Sequence, residues 1–202
     1  DRLSHSTVVL NRGVSNTSAG IKLHRSSNNT VTSNVGRSNS SYGIALTSSR
    51  NNTLTLNIGS SDVSGPGITL AINSTNNILT LNTGSANSSV GIRLTQESDN
   101  STLTLNTAIS NYTYGISIDH VSNVYLTSNN ATSGVAAPDS NPAIEIATSS
   151  NISLINTYAV AYSSGSSAIR LRNVTNISLT DCVNISGALY DISIHADSST
   201  DI

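Results

Sequence analysis

The chain has no Phe, Trp or Met, a single Cys and only three Pro among its 202 residues. Without large aromatic side chains the core must be built from Ile, Leu and Val, so we expect thin, regular layers. One cysteine, Cys182, excludes an internal disulfide. No apolar stretch approaches the ~20 residues that span a bilayer, and no signal peptide is visible.

Charge is equally scarce, since only 10% of the residues are charged and the net charge is −2. No basic run is present, so the sequence gives no reason to expect binding to nucleic acid or to an anionic membrane surface. Ser and Thr supply 62 residues and Asn another 26. Such polarity is typical of disorder, but here the apolar residues keep a fixed register, which predicts an ordered chain.

A Gly-Ile-x-Leu segment recurs along the whole sequence. Copies begin at Gly20, Gly43, Gly67, Gly91 and Gly115, and weaker ones at Ala143, Ala168 and Asp191. The steps between them are 23, 24, 24, 24, 28, 25 and 23 residues. A period of this size indicates one supersecondary unit stacked along an axis.

A second string, typified by Asn52 to Asn57 (NTLTLN), follows each copy. Both strings alternate apolar and polar residues, which predicts strands with one buried face. We expect inward side chains at Ile44 and Leu46 in the first string. In the second string we expect them at Leu54 and Leu56, Leu79 and Leu81, Leu103 and Leu105, and later at Ile152 and Leu154 and at Ile177 and Leu179. A third, shorter strand is predicted where Val35, Ile58, Thr83 and Thr107 share a register.

Three short strands and three turns account for a repeat of 23 to 28 residues. The sequence therefore predicts an all-β fold, a single-stranded parallel β-helix of about eight coils that forms one continuous body over residues 1–202. An Asn column at a strand end is expected to form an amide ladder between coils, and the Gly before each Ile to serve a tight turn. The column comprises Asn11, Asn34, Asn57, Asn82, Asn106 and Asn129.

Together, the Gly-Ile-x-Leu and S-x-N-N-T-L-T-L-N strings resemble the repeats of NosD-like and pectate-lyase-like β-helix proteins. In this Asn/Ser/Thr-rich form they are most similar to surface or sheath proteins of methanogenic archaea. The resemblance covers essentially the whole chain and implies a right-handed helix. Activity stays open, because such proteins include polysaccharide lyases, hydrolases, binding modules and structural envelope proteins.

A catalytic groove would need ionisable residues on the outward positions of one sheet. On the Gly-Ile strands these gather at one end, as Asp119, Glu145, Arg170 and Arg172. They are either a candidate lyase or hydrolase site or a set of surface ion pairs. No cofactor or metal site is expected, because His5, His24, His120 and His195 lie far apart along the coil.

Three further surface patterns stay open. Tyr42, Tyr114 and Tyr190 share the register before the repeat Gly and offer either stacking faces for sugars or turn packing. Thr-x-Thr pairs such as Thr53 and Thr55 are of the type found on ice-binding β-helices, although the array is interrupted. If the chain is exported, sequons in the variable turn predict N-glycosylation at Asn16, Asn39, Asn87 and Asn111.

The ends of the chain carry no evident cap. We therefore expect it either to belong to a longer chain or to build a homo-oligomer or polymer by strand addition. These features predict an extracellular, cell-surface structural protein of a sheath, surface layer or filament, without enzymatic activity. The alternative is a carbohydrate-binding or polysaccharide-processing module of a larger surface protein.

Overall fold

The computed structural model describes residues 2–134, 141–163, 166–186 and 192–195. Within these ranges the regular structure consists of 24 strands. Their bounds are β1 Thr7–Val9, β2 Arg12–Ser15, β3 Ile21–His24, β4 Thr30–Thr32, β5 Val35–Ser38, β6 Ile44–Thr47, β7 Thr53–Thr55, β8 Ile58–Ser61, β9 Ile68–Ala71, β10 Ile78–Thr80, β11 Thr83–Ala86, β12 Ile92–Thr95, β13 Thr102–Thr104, β14 Thr107–Ser110, β15 Ile116–Asp119, β16 Ser122–Thr127, β17 Asn130–Ser133, β18 Ile144–Ala147, β19 Ser150–Ile155, β20 Tyr158–Ala161, β21 Ile169–Arg172, β22 Thr175–Thr180, β23 Val183–Ser186 and β24 Ile192–His195. None of the described residues forms a helix with the length and hydropathy of a membrane span.

Every third strand belongs to the same sheet, which gives three parallel sheets of eight strands. Sheet 1 runs from β3 to β24 and holds the Gly-Ile strands, sheet 2 runs from β1 to β22, and sheet 3 runs from β2 to β23. The pairing is in register, so Ile44 lies beside Ile68 and Leu54 beside Leu79. The protein is a right-handed parallel β-solenoid, and the predicted fold and the predicted third strand are confirmed.

The core consists of aliphatic columns that run along the solenoid axis. Ile44 and Leu46 point inward from sheet 1, Leu54 points inward from sheet 2, and all three are fully buried. Their equivalents on the following coils stack above them in one continuous cluster. Each such side chain contributes roughly 1.5–3 kcal/mol by leaving water.

The predicted Asn column is an amide ladder inside the corner between sheets 2 and 3. The side-chain oxygen of Asn82 accepts hydrogen bonds from both the backbone N–H and the Nδ2 of Asn57, each at 2.9 Å. The Nδ2 of Asn82 donates to Asn106 Oδ1 at 3.1 Å and to the Leu54 carbonyl at 2.9 Å. The same pattern joins the coils from Asn11 to Asn129, which confirms the structural interpretation of this column. Cys182 lies in the same register near the far end, with Sγ 3.6 Å from the Leu154 carbonyl oxygen.

One prediction for the second string is wrong. Leu56, Leu81 and Leu105 do not point inward but are 52%, 46% and 49% exposed. Strand β7 ends at Thr55, and Leu56 adopts a left-handed conformation with φ of 57°. The corner residue breaks the strand alternation, so the buried position passes to the following Asn57. The left-handed residue of the corner therefore precedes the ladder asparagine.

The repeat glycines have a different role from the one expected. Gly43, Gly67, Gly91 and Gly115 are not among the residues with positive φ, so a left-handed turn does not require them. A Cβ on Gly43 would lie 2.2 Å from the backbone nitrogen of Ser60, and one on Gly36 would lie 2.3 Å from the Gly43 carbonyl oxygen. Glycine is needed here because sheets 1 and 3 approach each other closely at this corner.

We predict that Asn82→Ala destabilises the fold by about 2–4 kcal/mol, because it leaves the buried Asn57 N–H without its partner and removes the hydrogen bonds from Nδ2 to the Leu54 carbonyl and to Asn106. Urea unfolding followed by circular dichroism measures the loss. Asn39→Ala is the matched control, since Asn39 is exposed on the surface. Equal losses for the two variants would contradict the role of the ladder.

Candidate functional site

The outer face of sheet 1 carries two in-register columns of outward side chains. The first contains Lys22, Ala45, Thr69, Arg93, Ser117, Glu145 and Arg170. The second contains His24, Thr47, Ala71, Thr95, Asp119, Ala147 and Arg172. Successive residues in each column are one coil apart, about 4.8 Å. Ionisable groups from four consecutive coils therefore share one face.

Tyrosines from the turn before the repeat Gly lie along this face. Tyr114 accepts a hydrogen bond from Nη2 of Arg170 at 3.0 Å, although the two residues are 56 positions apart. The Arg170 guanidinium also lies 5.6 Å from the centre of the Tyr114 ring, which is within cation–π range. Tyr42 shares a recess with Thr69 and Arg93. Two of the three register-sharing tyrosines thus wall this face, while Tyr190 lies outside the described residues.

A groove of about 730 Å³ opens in the middle of the face and continues over its corner with sheet 2. Its lining is polar apart from one side chain and comprises Ile72, Asn73, Arg93, Thr95, Gln96, Glu97, Asp119 and His120. Two smaller recesses adjoin it, one beside Tyr42 and one reaching from Glu97 to Ser150. The corner residues Gln96, Glu97 and His120 are left-handed, so they project from the coil instead of continuing a strand.

The groove contains a carboxylate–imidazole pair and a guanidinium that is not part of an ion pair among the described residues. Asp119 Oδ1 lies 2.9 Å from Nδ1 of His120, and the side chains are 37% and 63% exposed. A carboxylate that holds one imidazole nitrogen leaves the other for proton transfer or for hydrogen bonding to a ligand. One coil away, Arg93 forms no ion pair with any described residue, so its guanidinium can bind a carboxylate or a hydroxyl group.

Glu145 is buried, at 3% exposure, although it points outward from sheet 1. Nε of Arg170 donates to its Oε2 at 2.5 Å, and Nε of Arg172 donates to its Oε1 at 3.0 Å. Arg170 is mostly covered, whereas the side chain of Arg172 is 54% exposed. Both carboxylate oxygens are therefore engaged, and Glu145 holds two guanidiniums in position.

Of the four residues of the alternative lyase or hydrolase site, Glu145, Arg170 and Arg172 are brought together, while Asp119 pairs with His120. The choice between ion pairs and a catalytic role is not tested, although both oxygens of Glu145 are engaged by arginines. Sequence reasoning placed Arg93 on the correct column but missed its place in the groove, and it missed Glu97 altogether. Glu97 could have been found from its position two residues after the Gly-Ile-x-Leu strand ends at Thr95. Residues there form the corner, and the corner lies beside the outward columns of sheet 1.

The four predicted glycosylation sites lie in the turn between sheets 3 and 1. Asn16, Asn39 and Asn87 are exposed. Asn111 is half-buried, and its Nδ2 donates to Asn87 Oδ1 at 3.0 Å, so these two amides are not free at the same time. Another five sequons start at asparagines with a left-handed conformation at the beginning of a sheet 2 strand or just before it, namely Asn28, Asn51, Asn100, Asn151 and Asn176. That conformation favours Asn on its own, which accounts for the asparagine at these five positions.

Fold and groove define a parallel β-solenoid protein with an open cleft on one sheet. The chain belongs to the NosD family, because the family model described as periplasmic copper-binding protein (NosD) matches residues 2–133. No curated protein matches it significantly. The comparisons do not bear on the archaeal envelope resemblance, which stays a prediction.

The residues present do not fit a copper centre. No three His, Cys, Asp or Glu side chains of the described ranges lie close enough to hold a metal ion. The chain has no Met, and Cys182 lies on the ladder corner, away from the described histidines.

Several solved structures share the fold. The A-module of mannuronan C-5 epimerase AlgE6 of Azotobacter vinelandii matches with a TM-score of 0.59 at 14% identity, over 100% of this chain and 58% of that one. The periplasmic alginate epimerase AlgG matches with a TM-score of 0.61 at 16% identity, over 94% of this chain and 51% of that one. The A-module of mannuronan C-5 epimerase AlgE4 of Azotobacter vinelandii matches with a TM-score of 0.52 at 9% identity, over 100% of this chain and 83% of that one. The chain thus spans just over half the length of the first two, and these identities show the fold alone.

We predict that Glu145→Gln lowers stability by about 1–3 kcal/mol, because two guanidiniums, one of them mostly covered, lose their counter-charge. Asp119→Asn is the matched control and should change stability by less than about 1 kcal/mol, since its pair is exposed. Urea midpoints of the two variants make the comparison. A larger loss for Asp119→Asn would disprove the anchoring role of Glu145.

Proposed function

We propose that this chain is a polysaccharide-binding module of an envelope or surface protein, and that sugars bind along the sheet 1 groove. The observation that carries the proposal is the open groove of about 730 Å³, in which Arg93, Glu97, Asp119 and His120 face solvent beside an aromatic wall. Polar groups that converge in a surface cleft are the usual sign of a ligand site.

The shape of the groove favours a polymer over a small molecule. From Tyr42 to the corner at Thr148 the adjoining recesses cross four coil intervals, or about 19 Å. The groove is open along its length, so a chain of several sugar units can lie in it without its ends being enclosed. Tyr42, 40% exposed, offers a ring face on which a sugar can stack.

We favour binding over catalysis. The buried Glu145 is neutralised by two arginines, and the acid–base candidates that remain are the exposed pair Asp119 and His120 with Glu97 nearby. The epimerases that share the fold act on mannuronan, which makes polymannuronate the first polymer to test against a neutral glucan. A turnover that disappears in His120→Ala would refute the binding-only role.

Arg93→Ala should weaken polysaccharide binding by roughly tenfold or more, because a charged hydrogen-bond donor is removed from the middle of the groove. Arg37→Ala is the matched control, since Arg37 is exposed on the outer face of sheet 3. Isothermal titration and affinity electrophoresis measure binding, and NMR of the polymer detects epimerised or cleaved product. Unchanged affinity in Arg93→Ala would exclude the groove as the site.

An envelope location is supported by the family, whose description is periplasmic. The predicted structural role, self-assembly by strand addition at coil edges, is a second proposal. It is supported by the in-register parallel pairing of every described strand, which is the geometry that strand addition extends. Electron microscopy should then show filaments or sheets whose long axis is the solenoid axis, and discrete particles at high concentration would contradict it.

Mass spectrometry of the native protein tests glycans at Asn16, Asn39 and Asn87.

A further inference from the structure

The outer face of sheet 2 carries no charged residue on any of its eight strands. The chain has nine basic and eleven acidic residues, and the outer faces of sheets 1 and 3 hold several of them. Two in-register columns make up the sheet 2 face. The first contains Thr7, Thr30, Thr53, Ile78, Thr102, Tyr125, Ser153 and Ser178. The second contains Val9, Thr32, Thr55, Thr80, Thr104, Thr127, Ile155 and Thr180.

The second column of this face is regular through the middle of the solenoid. Five threonines follow one another without interruption in the second column, from Thr32 to Thr127. Each is partly covered by its neighbours. β-Branched side chains are restricted in χ1, so the hydroxyl and methyl groups form fixed rows one coil apart. Tyr125 and Ile78 are large side chains of the first column, 56% and 47% exposed.

A ridge of leucines borders the face at the corner with sheet 3. It consists of Leu10, Leu56, Leu81 and Leu105, which are all left-handed and are 77%, 52%, 46% and 49% exposed. Ile58, at the start of the neighbouring sheet 3 strand, flanks it and is 44% exposed. Other coils have Ser33, Ser128, Asn156 and Asp181 at the same corner position. Backbone preference does not account for leucine there, because Asn adopts this conformation more readily.

We infer that the sheet 2 face and its leucine ridge are the surface through which two copies of this chain associate side by side. The repeat spacing identifies the occupant. Rows of methyl groups about 4.8 Å apart fit best into another surface with the same spacing, and a second solenoid has that spacing by construction. A two-fold axis that lies in the plane of the interface places the two faces against each other, so that the rows of one copy can lie between those of the other.

Area and charge agree with this assignment. Seven coil intervals of about 4.8 Å and a width of about 15 Å give roughly 500 Å² per copy, or about 1,000 Å² in total. That is about the lower limit for a specific protein interface and lies below the roughly 1,200–2,000 Å² that stable ones bury, so we expect a weak dimer. Charge-free surfaces bordered by Leu, Ile and Tyr are typical of interface centres, because their burial leaves no charged group without a partner. The groove residues Arg93, Asp119 and His120 lie outside the two columns of the contact face.

Sedimentation equilibrium and light scattering over a concentration series test the inference on the full chain. The wild type should form a dimer, and Thr55→Lys should weaken it at least tenfold, because the lysine places a charge at the centre of the contact. Ser60→Lys is the matched control, on the outer face of sheet 3 in the same coil. It should leave the dimer unchanged.

Leu81→Asn separates association from folding. Because Asn suits the left-handed corner, this variant should keep or raise the thermal midpoint of the monomer while it weakens the dimer severalfold. If Leu81 had only a structural role, Leu81→Asn would lower the thermal midpoint and would not change the dissociation constant of the dimer.

Three results would overturn the inference. The first is a wild type that stays monomeric at every concentration. The second is a monomer that adsorbs to growing ice crystals through the threonine rows, which would make ordered water the occupant of the face. The third is an assembly that Thr55→Lys leaves intact, which would assign it to the coil edges. The affinity of Thr55→Lys for polysaccharide is measured separately, and an unchanged affinity shows that the groove of this variant is intact.

Discussion

The structure depends on the in-register stacking of coils, and the buried amide ladder does most to enforce that register. Each ladder Asn from Asn34 to Asn106 accepts two hydrogen bonds from the coil on one side and donates to a backbone carbonyl of that coil and to the next Asn, as at Asn82. A shift by one residue would bury an amide without partners and would expose a core leucine. The ladder therefore fixes both the height of each coil and the face that each residue occupies.

Once the register is fixed, the three outer faces can diverge. Sheet 1 collects Arg93, Asp119 and Glu145 at regular heights, and the neighbouring corner adds Glu97 and His120. Sheet 2 keeps an uncharged lattice of threonines. Because the inward columns supply the stability, the outward residues of each face are free to serve binding or association without loss of the fold.

The sequence predicted the strands, the sheets and the ladder because a strict repeat shows the register directly. It misassigned Leu56, since alternation alone does not reveal where a strand ends, and the left-handed corner shifted the buried position to Asn57. It placed Glu145 beside Arg170 but did not predict its burial, because Tyr114 reaches across two coils to cover Arg170. Contacts between turns and distant coils leave no periodic signal.

Period, alternation and the Asn column by themselves determined a stacked parallel β core, because those features are local and repeat every coil. Only the tertiary structure decided which side chains share a groove, which carboxylate is neutralised and why glycine is needed at the repeat. These outcomes depend on the path of the corners and on how closely sheets 1 and 3 approach, and neither is encoded in the spacing of the repeat.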